Sequence, residues 1–312
     1  MMKEIILIVG PTGSGKTSLS LNLYGKLDSE IISADSMQIY KYMDIGTAKV
    51  SEKIREKIKH HMIDIVNPDD AFSVASFQKD TFKIIDNLII KNKIPIVVGG
   101  TGLYINSLTY NLDFSNAKSD ESIRNKLYYE YEENGKQFIL NKLKKVDLDS
   151  YNTIEHNNIK RVIRAIEIYE ITGVPYSKQN KDFRNENNNY NFKIYGLTDD
   201  RKLLYERINN RVDEMIKDGL FDEVKFLIDN YDNNSQSFKG IGYKEIIDYY
   251  NGIYSKNEAI EKLKQNSRKY AKRQLTWFRR DKRIKWFNLS EYKNNIAEIS
   301  NKIYKEIKNG QI

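Results

Sequence analysis

The run Gly10-Pro11-Thr12-Gly13-Ser14-Gly15-Lys16-Thr17 constrains this chain more than any other stretch, because it satisfies G-x-x-x-x-G-K-[ST] between an apolar run and a helical pattern. Its glycines let backbone N–H groups curl around an anion at a helix N-terminus, where unpaired donors and the helix dipole both favour negative charge. Lys16 supplies a point charge to the outer phosphate, and the Thr17 hydroxyl is placed to ligate Mg²⁺. All eight residues are expected to contact a phosphate chain, with Thr17 as the metal ligand. The pattern identifies a phosphate chain without saying which one.

Around this loop the sequence reads as an α/β protein with a P-loop NTPase-like, doubly wound parallel sheet and an inserted helical domain. Glu4–Val9, Glu30–Ala34 and Ile94–Val98 are short apolar runs of the kind found in strands buried on both faces, and Ser18–Lys26 has helical periodicity. Ligands of such sheets gather beyond the C-terminal strand ends, where Gly10–Thr17, Asp35–Gln38 and Gly99–Thr101 fall. From Asp113 to about Tyr190 the pattern changes to long helices, such as Ile123–Tyr131 and Ile159–Thr172. The Asn-rich Asn185–Asn191 reads as a solvated loop. Phe192–Leu197 returns to strand character, followed by helical Arg201–Asn230, Lys244–Tyr250 and Lys256–Phe278, a short strand Ile284–Phe287 and a helix Asn295–Lys308. The boundaries are therefore 1–112 and 192–312 for the catalytic core and 113–191 for the insertion. A length of 312 residues accommodates both.

The chain has no cysteine, which excludes disulfides, thiolate nucleophiles and thiolate metal sites and accords with a cytoplasmic protein. The apolar run Ile5–Val9 is too short for a membrane span, so no membrane association is expected. Net charge is +8, and Arg268–Lys285 alone carries nine basic residues against the single acid Asp281, so the remainder sums to zero. This tail is a candidate for attracting a polyanion, with a solvated helix face as the alternative. The insertion balances 13 basic against 13 acidic residues. His60, His61 and His156 lack metal-ligand spacing and read as packing residues.

A phosphate-hydrolysing enzyme of this class needs a second strand ending in an Asp that orients the metal and its water. Ile94–Val98 ends instead in Gly99-Gly100-Thr101, which weakens the triphosphatase or kinase reading. Asp35 and Asp64 remain as carboxylates near strand ends, either of which could serve a metal.

The segments GPTGSGKT (10–17), SADSMQIYKYMDIGTAK (33–49), HHMIDIVNP (60–68), VGGTGLY (98–104), NNIKRVIRAIEIYEITG (157–173), GLFDEV (219–224), KGIGYKE (239–245) and YAKRQLTWFRR (270–280) resemble, in order and over nearly the whole length, the bacterial tRNA dimethylallyltransferases, also called tRNA isopentenyltransferases. The resemblance implies attack of an adenine N6 at position 37 of the tRNA anticodon loop on the allylic C1 of dimethylallyl diphosphate, with Mg²⁺ and release of diphosphate. The phosphate loop then holds a leaving group, in keeping with the missing water-orienting Asp. No D-D-x-x-D cluster is present to bind diphosphate, since Asp69-Asp70 and Asp199-Asp200 lack the second half.

The resemblance further implies roles for particular residues. Adenine N6 is a poor nucleophile, so a base must take its proton, and Asp35 is the candidate; a helix cap or the metal's outer shell is the alternative. Thr101 matches the family residue beside the reacting groups, with a helix N-cap as the competing role. Arg207 and Arg211 share one helix face and can turn to one anion, Arg211 being the better match for the family's diphosphate arginine; an ion pair with Glu206 or Asp213 is the alternative. Asp35, Ser36, Met37, Gln38 and Thr101 match the segments around the flipped base, and Gln38 has the amide geometry to read an adenine edge. Arg124, Lys160, Arg161, Val162, Ile163 and Arg164 match tRNA contacts of the insertion. Lys239, Gly240, Ile241, Gly242, Tyr243 and Lys244 offer backbone donors with an aromatic for stacking. A monomer is expected. The runner-up activity is prenylation of a free adenylate (AMP or ATP), against which the insertion and the basic tail argue.

Overall fold

The computed structural model describes residues 4–112, 120–179 and 185–309. Six strands, β1 (Glu4–Val9), β2 (Ser29–Ser33), β3 (His60–His61), β4 (Ile94–Gly99), β5 (Asn191–Thr198) and β6 (Lys285–Asn288), form one sheet in the order β3-β2-β4-β1-β5-β6. Every pairing is parallel. Ile5 through Val9 are fully buried at both odd and even positions, so β1 is covered on both faces, as its unbroken apolar run requires. On one face Ile6, Ile8, Ile96 and Leu197 pack against Leu19 and Leu23 of the helix Lys16–Tyr24 and Ile299 and Ile303 of the helix Ile296–Asn309.

The chain falls into two compact units, one made of Met1–Ile105 with Asn188–Ile312 and the other of Asn106–Asn187. The expected edge at Asp113 lies outside the described residues, and at the other edge Asn191 already pairs with Glu4 in the sheet. The Asn-rich stretch is not simply a solvated loop. Asn187 is buried, its side chain donates to the Leu108 carbonyl at 3.0 Å, and its backbone N–H reaches Thr109 O. Backbone hydrogen bonding thus extends into a segment whose composition reads as loop.

Two long helical patterns are interrupted by glycines in left-handed or extended-positive conformation. Arg201–Asn230 splits into Arg201–Lys217 and Leu220–Asn230 at Gly219, where φ is 98°. Within the second unit, Glu121–Val146 breaks at Gly135, φ 77°. The two-residue strand β3 and the helix Val74–Ile90 also belong to the first unit, as do the helices Tyr243–Tyr250 and Lys256–Phe278; β3 is too short to leave a periodic signal.

Candidate active site

Parallel pairing brings three loops to one sheet edge. Beyond β2 and β4 the hydrogen bonds continue, from Ala34 N to Val98 O (2.8 Å) and from Thr101 N to Ala34 O (3.3 Å). This extension places Thr101 against the segment after Asp35: Thr101 Oγ1 accepts from Ser36 N at 3.0 Å. The Thr101 carbonyl also accepts from Tyr104 N and Ile105 N, so it opens the next helix through its backbone while its hydroxyl stays with Ser36.

A chamber of about 350 Å³ lies over these ends, with Lys16, Asp35, Arg211 and Tyr270 among its walls. The phosphate loop turns into its helix at Gly15, whose φ of 81° suits a residue without Cβ. Lys16 Nζ folds back onto the Pro11 carbonyl at 2.6 Å. Burial, reinforced by the Arg211 guanidinium, drives the Lys16 ammonium down to about 7, against the opposing pull of Asp35. Arg211 is lowered by burial as well, while Asp35 and Glu214 favour its charge. Its Nη1 donates to Thr12 Oγ1 at 3.3 Å. Two desolvated basic groups thus share Asp35 as the carboxylate acting on both, with Glu214 acting also on Arg211, and a bound polyanion would favour the charged form of each.

Asp35 Oδ1 accepts from Met37 N at 2.9 Å, which fixes the carboxylate at the start of the loop. Gln38 is held at both ends, taking the Ser33 hydroxyl at Oε1 (2.8 Å) and donating through Nε2 to Thr47 O (3.2 Å). Lys239, Gly240 and Ile241 join Met37 and Gln38 along the chamber wall.

Arg207 and Arg211 both line a pocket at the phosphate loop, beside Gly13, Lys16 and Thr17. Arg207 is in addition tied to the buried Asp199 carboxylate and donates through Nε to Gly13 O at 3.0 Å, bracing the loop. Several expectations are corrected. Asp64 is not free for a metal, being paired with Lys49 and Arg55. Tyr243 cannot stack on a base: it is fully buried, with its hydroxyl donating to Glu223 at 2.8 Å. Gly242 is buried beside it, and Lys244 is exposed away from the residues lining the chamber. In the second unit, Val162 and Ile163 are core residues with no side-chain surface to offer a ligand. Lys160 and Arg161 are exposed, whereas Arg124 and Arg164 both pair with the fully buried Glu167, at 3.0 and 2.9 Å. The basic tail is partly neutralised, Arg283 by Asp281 and Lys285 by Glu306. The three histidines are engaged with Ile58 O, Glu30 and Tyr151 O.

Two residues escaped the sequence reading. The Glu223 carboxylate accepts from the backbone N–H groups of Asp44 (2.9 Å), Ile45 (2.7 Å) and Gly46 (3.0 Å), pinning the far end of the Asp35–Thr47 segment. Gln274, 5% exposed, sits on the buried stripe of the helix Lys256–Phe278. A polar residue in phase with Ala271 and Phe278 was the available signal.

For a metal, the donor set is sparse. Among the described residues no group of three His, Cys, Asp or Glu side chains could hold one. Thr17, exposed at the mouth of the loop and lining the chamber, fits an ion whose other ligands are phosphate oxygens and water. Among the described residues no helix is long and apolar enough to cross a membrane.

Residues 38–281 match the family model described as IPP transferase. The chain is 53% identical over 308 residues to the tRNA dimethylallyltransferase of Alkaliphilus oremlandii and 52% identical to that of Finegoldia magna, covering 98% of both chains in each case. The full-length tRNA isopentenylpyrophosphate transferase of Bacillus halodurans has a similar structure, with a TM-score of 0.72 at 41% identity, covering 99% of this chain and 98% of that one. A eukaryotic dimethylallyltransferase solved while acting on tRNA superposes with a TM-score of 0.84 at 28% identity, covering 99% of this chain and 80% of the other. The phosphate loop, the Asp35 turn and the inserted helices therefore stand in a chain that belongs to the IPP transferase family, that of the tRNA dimethylallyltransferases.

Proposed function

We propose that this enzyme transfers the dimethylallyl group of dimethylallyl diphosphate to N6 of adenine 37 in a tRNA anticodon loop. The observation that carries this reading is the juxtaposition, in one chamber, of two largely desolvated basic side chains, Lys16 and Arg211, on the phosphate-loop side with Asp35 and Ser36 on the other, Ser36 being held by Thr101. The allylic C1–O bond breaks as C1–N6 forms, the N6 proton passes to Asp35, and diphosphate leaves. Lys16, Arg211 and the loop amides stabilise the charge that develops on the leaving oxygen. Thr101, tied to Ser36, holds the acceptor side in place. When bound, Mg²⁺ would be held by Thr17 with the diphosphate and would supply further charge neutralisation.

An anticodon loop presents unstacked bases at low cost, and Gln38, which lines the chamber with Oε1 and Nε2 both engaged, is the candidate reader of a flipped purine. Lys160 and Arg161 of the inserted unit are the candidate phosphate contacts there, with Arg124 and Arg164 held by Glu167. The enzyme acts in the cytoplasm as a monomer. Incubation with dimethylallyl diphosphate, Mg²⁺ and total tRNA should yield N6-prenyl-adenosine by mass spectrometry. Competition between tRNA and AMP for a labelled prenyl donor distinguishes an adenylate prenyltransferase, and label appearing in AMP but not in tRNA would refute the proposal.

A further inference from the structure

The Gln274 amide is the one side chain, among the described residues, hydrogen-bonded to the backbone of both the phosphate loop and the Gly99–Thr101 turn. Its Oε1 accepts from Thr12 N at 2.8 Å, and its Nε2 donates to Gly100 O at 2.9 Å. An N–H must face the amide oxygen and a carbonyl must face the amide nitrogen, so the two partners set the orientation of the group. The fit is close on both sides: a Cβ on Gly100 would lie 2.1 Å from Nε2. One turn earlier on the same helix, the Tyr270 hydroxyl interacts with the side chains of Thr101 and Gln274. Thr12 in turn receives Arg211 through its hydroxyl, and Thr101 receives Ser36 N. A continuous set of polar contacts therefore runs from the diphosphate grip, through Gln274, to the loop that begins at Asp35.

We propose that Gln274 is a positioning residue for the transfer step, setting the separation between the phosphate loop and the Thr101 turn and hence the approach of the acceptor nitrogen to the allylic carbon. This rests on the prenyl-transfer reading above. The amide lines the chamber, but its Oε1 and Nε2 are engaged by Thr12 N and Gly100 O, and it acts through the two backbones it joins. A misplacement of about 1 Å between reacting atoms costs on the order of 10²-fold in rate. The two ligands would still be bound, because Lys16, Arg211 and the loop amides remain on the donor side and Asp35 and Gln38 on the acceptor side.

The substitution Gln274→Glu tests this directly. A carboxylate can still accept from Thr12 N but cannot donate to Gly100 O, whereas a protonated carboxyl can do both. The chamber also contains Lys16, Asp35, His60, Arg211, Lys239, Tyr270 and Arg273, which titrate or carry charge in the parent too. The quantity to read is therefore the ratio of variant to parent kcat at each pH, with prenylation of tRNA as the assay. We expect that ratio to lie about 10- to 100-fold below one in mild alkali and to climb as pH falls and the introduced carboxyl takes up its proton. Dissociation constants for dimethylallyl diphosphate and for tRNA should stay within about threefold of the parent's at low pH, giving a loss in kcat rather than KM. The nearly isosteric Gln274→Met, which can make neither bond, should show a low ratio that does not move with pH. A Gln274→Glu ratio that is flat with pH, or a loss confined to ligand affinity, overturns the proposal. If Gln274→Glu does not fold, Gly100→Ala, which presses on the same amide from the opposite side, should lower kcat with both affinities retained, and unchanged kcat there is equally fatal. Absence of tRNA prenylation by the parent protein would instead remove the proposed function itself.

Discussion

The two sides of the chamber are built differently. The donor side is for the most part eight contiguous residues whose shape follows from their own glycines, a buried strand before them and a helix after, with Arg211 brought to it from a distant helix as a candidate diphosphate contact. The acceptor side, Asp35 to Thr47, has almost no regular structure and is held from far along the chain. Glu223 takes three of its N–H groups, and Lys49 ties Asp44, the Tyr40 carbonyl and Asp64 together. A phosphate site needs only a turn and a helix end, whereas a surface that receives a base must be shaped by tertiary contacts.

This contrast can be broken most forcefully at Asp35. Asp35→Ala should lower prenylation by about 10²–10⁴-fold with donor affinity nearly intact, the size expected for loss of a general base. Equilibrium binding of dimethylallyl diphosphate beside single-turnover rates checks both halves, and full activity would end the assignment. On the other side, Lys16→Ala or Arg211→Ala should weaken the donor by about 10- to 100-fold, since hydrogen bonds to charged groups contribute roughly 1.5–3 kcal/mol. Unchanged donor affinity would remove the loop from the mechanism.

Glu223→Ala leaves three backbone donors and the Tyr243 hydroxyl without their acceptor and should cost about 1–3 kcal/mol in urea unfolding. The comparison predicts that tRNA affinity falls while donor affinity holds; equal losses on both sides would show that they are not separately supported. Reversing charge at Lys272 and Arg273 should lower tRNA affinity and reduce the log–log salt slope by about 1–2, measured by filter binding across a salt series. An unaltered slope would take the basic helix out of RNA binding.

The smallest effect is a proton. Lys16 stands at about 7 in the folded protein against an ordinary value of 10.5, so between these limits the unfolded chain holds more protons. Stability contributed by this group therefore rises with pH across that window and is lost as pH falls toward 7. A bound diphosphate restores the charge, so donor binding takes up a proton and weakens as pH rises above 7. Calorimetry near pH 8.5 in buffers of different ionisation enthalpy should report uptake of up to about one proton per donor bound. No uptake would mean that Lys16 is already charged in the free enzyme.

The pattern of what could be read in advance follows the same division. β1, β2, β4 and β5 were visible as apolar runs because a strand covered on both faces has no polar alternation to confuse it, while β3, at two residues, had no period to detect. Tyr243 looked like a stacking aromatic beside glycines and is instead core, because the Gly240–Gly242 turn directs it inward onto Glu223. Val162 and Ile163 lie in a motif flanked by basic residues, yet the helical period assigns them to the buried face between exposed Arg161 and half-buried Arg164. Arg207 and Arg211 share a helix face in sequence and both line the pocket at the phosphate loop, and only the position of Asp199 decides that Arg207 is ion-paired there.

By itself, the sequence determined the phosphate loop, the parallel α/β core and the family, because each rests on residues adjacent in the chain or spaced by a local period. Tertiary structure alone decided which polar side chains face the chamber and which hold it together. Gln274 reaches Thr12 across 262 residues, and Glu223 reaches the Asp44–Gly46 turn across 177 to 179. A buried amide or carboxylate takes its role from whichever backbone groups lack partners nearby, and that is settled only once the chain has closed upon itself.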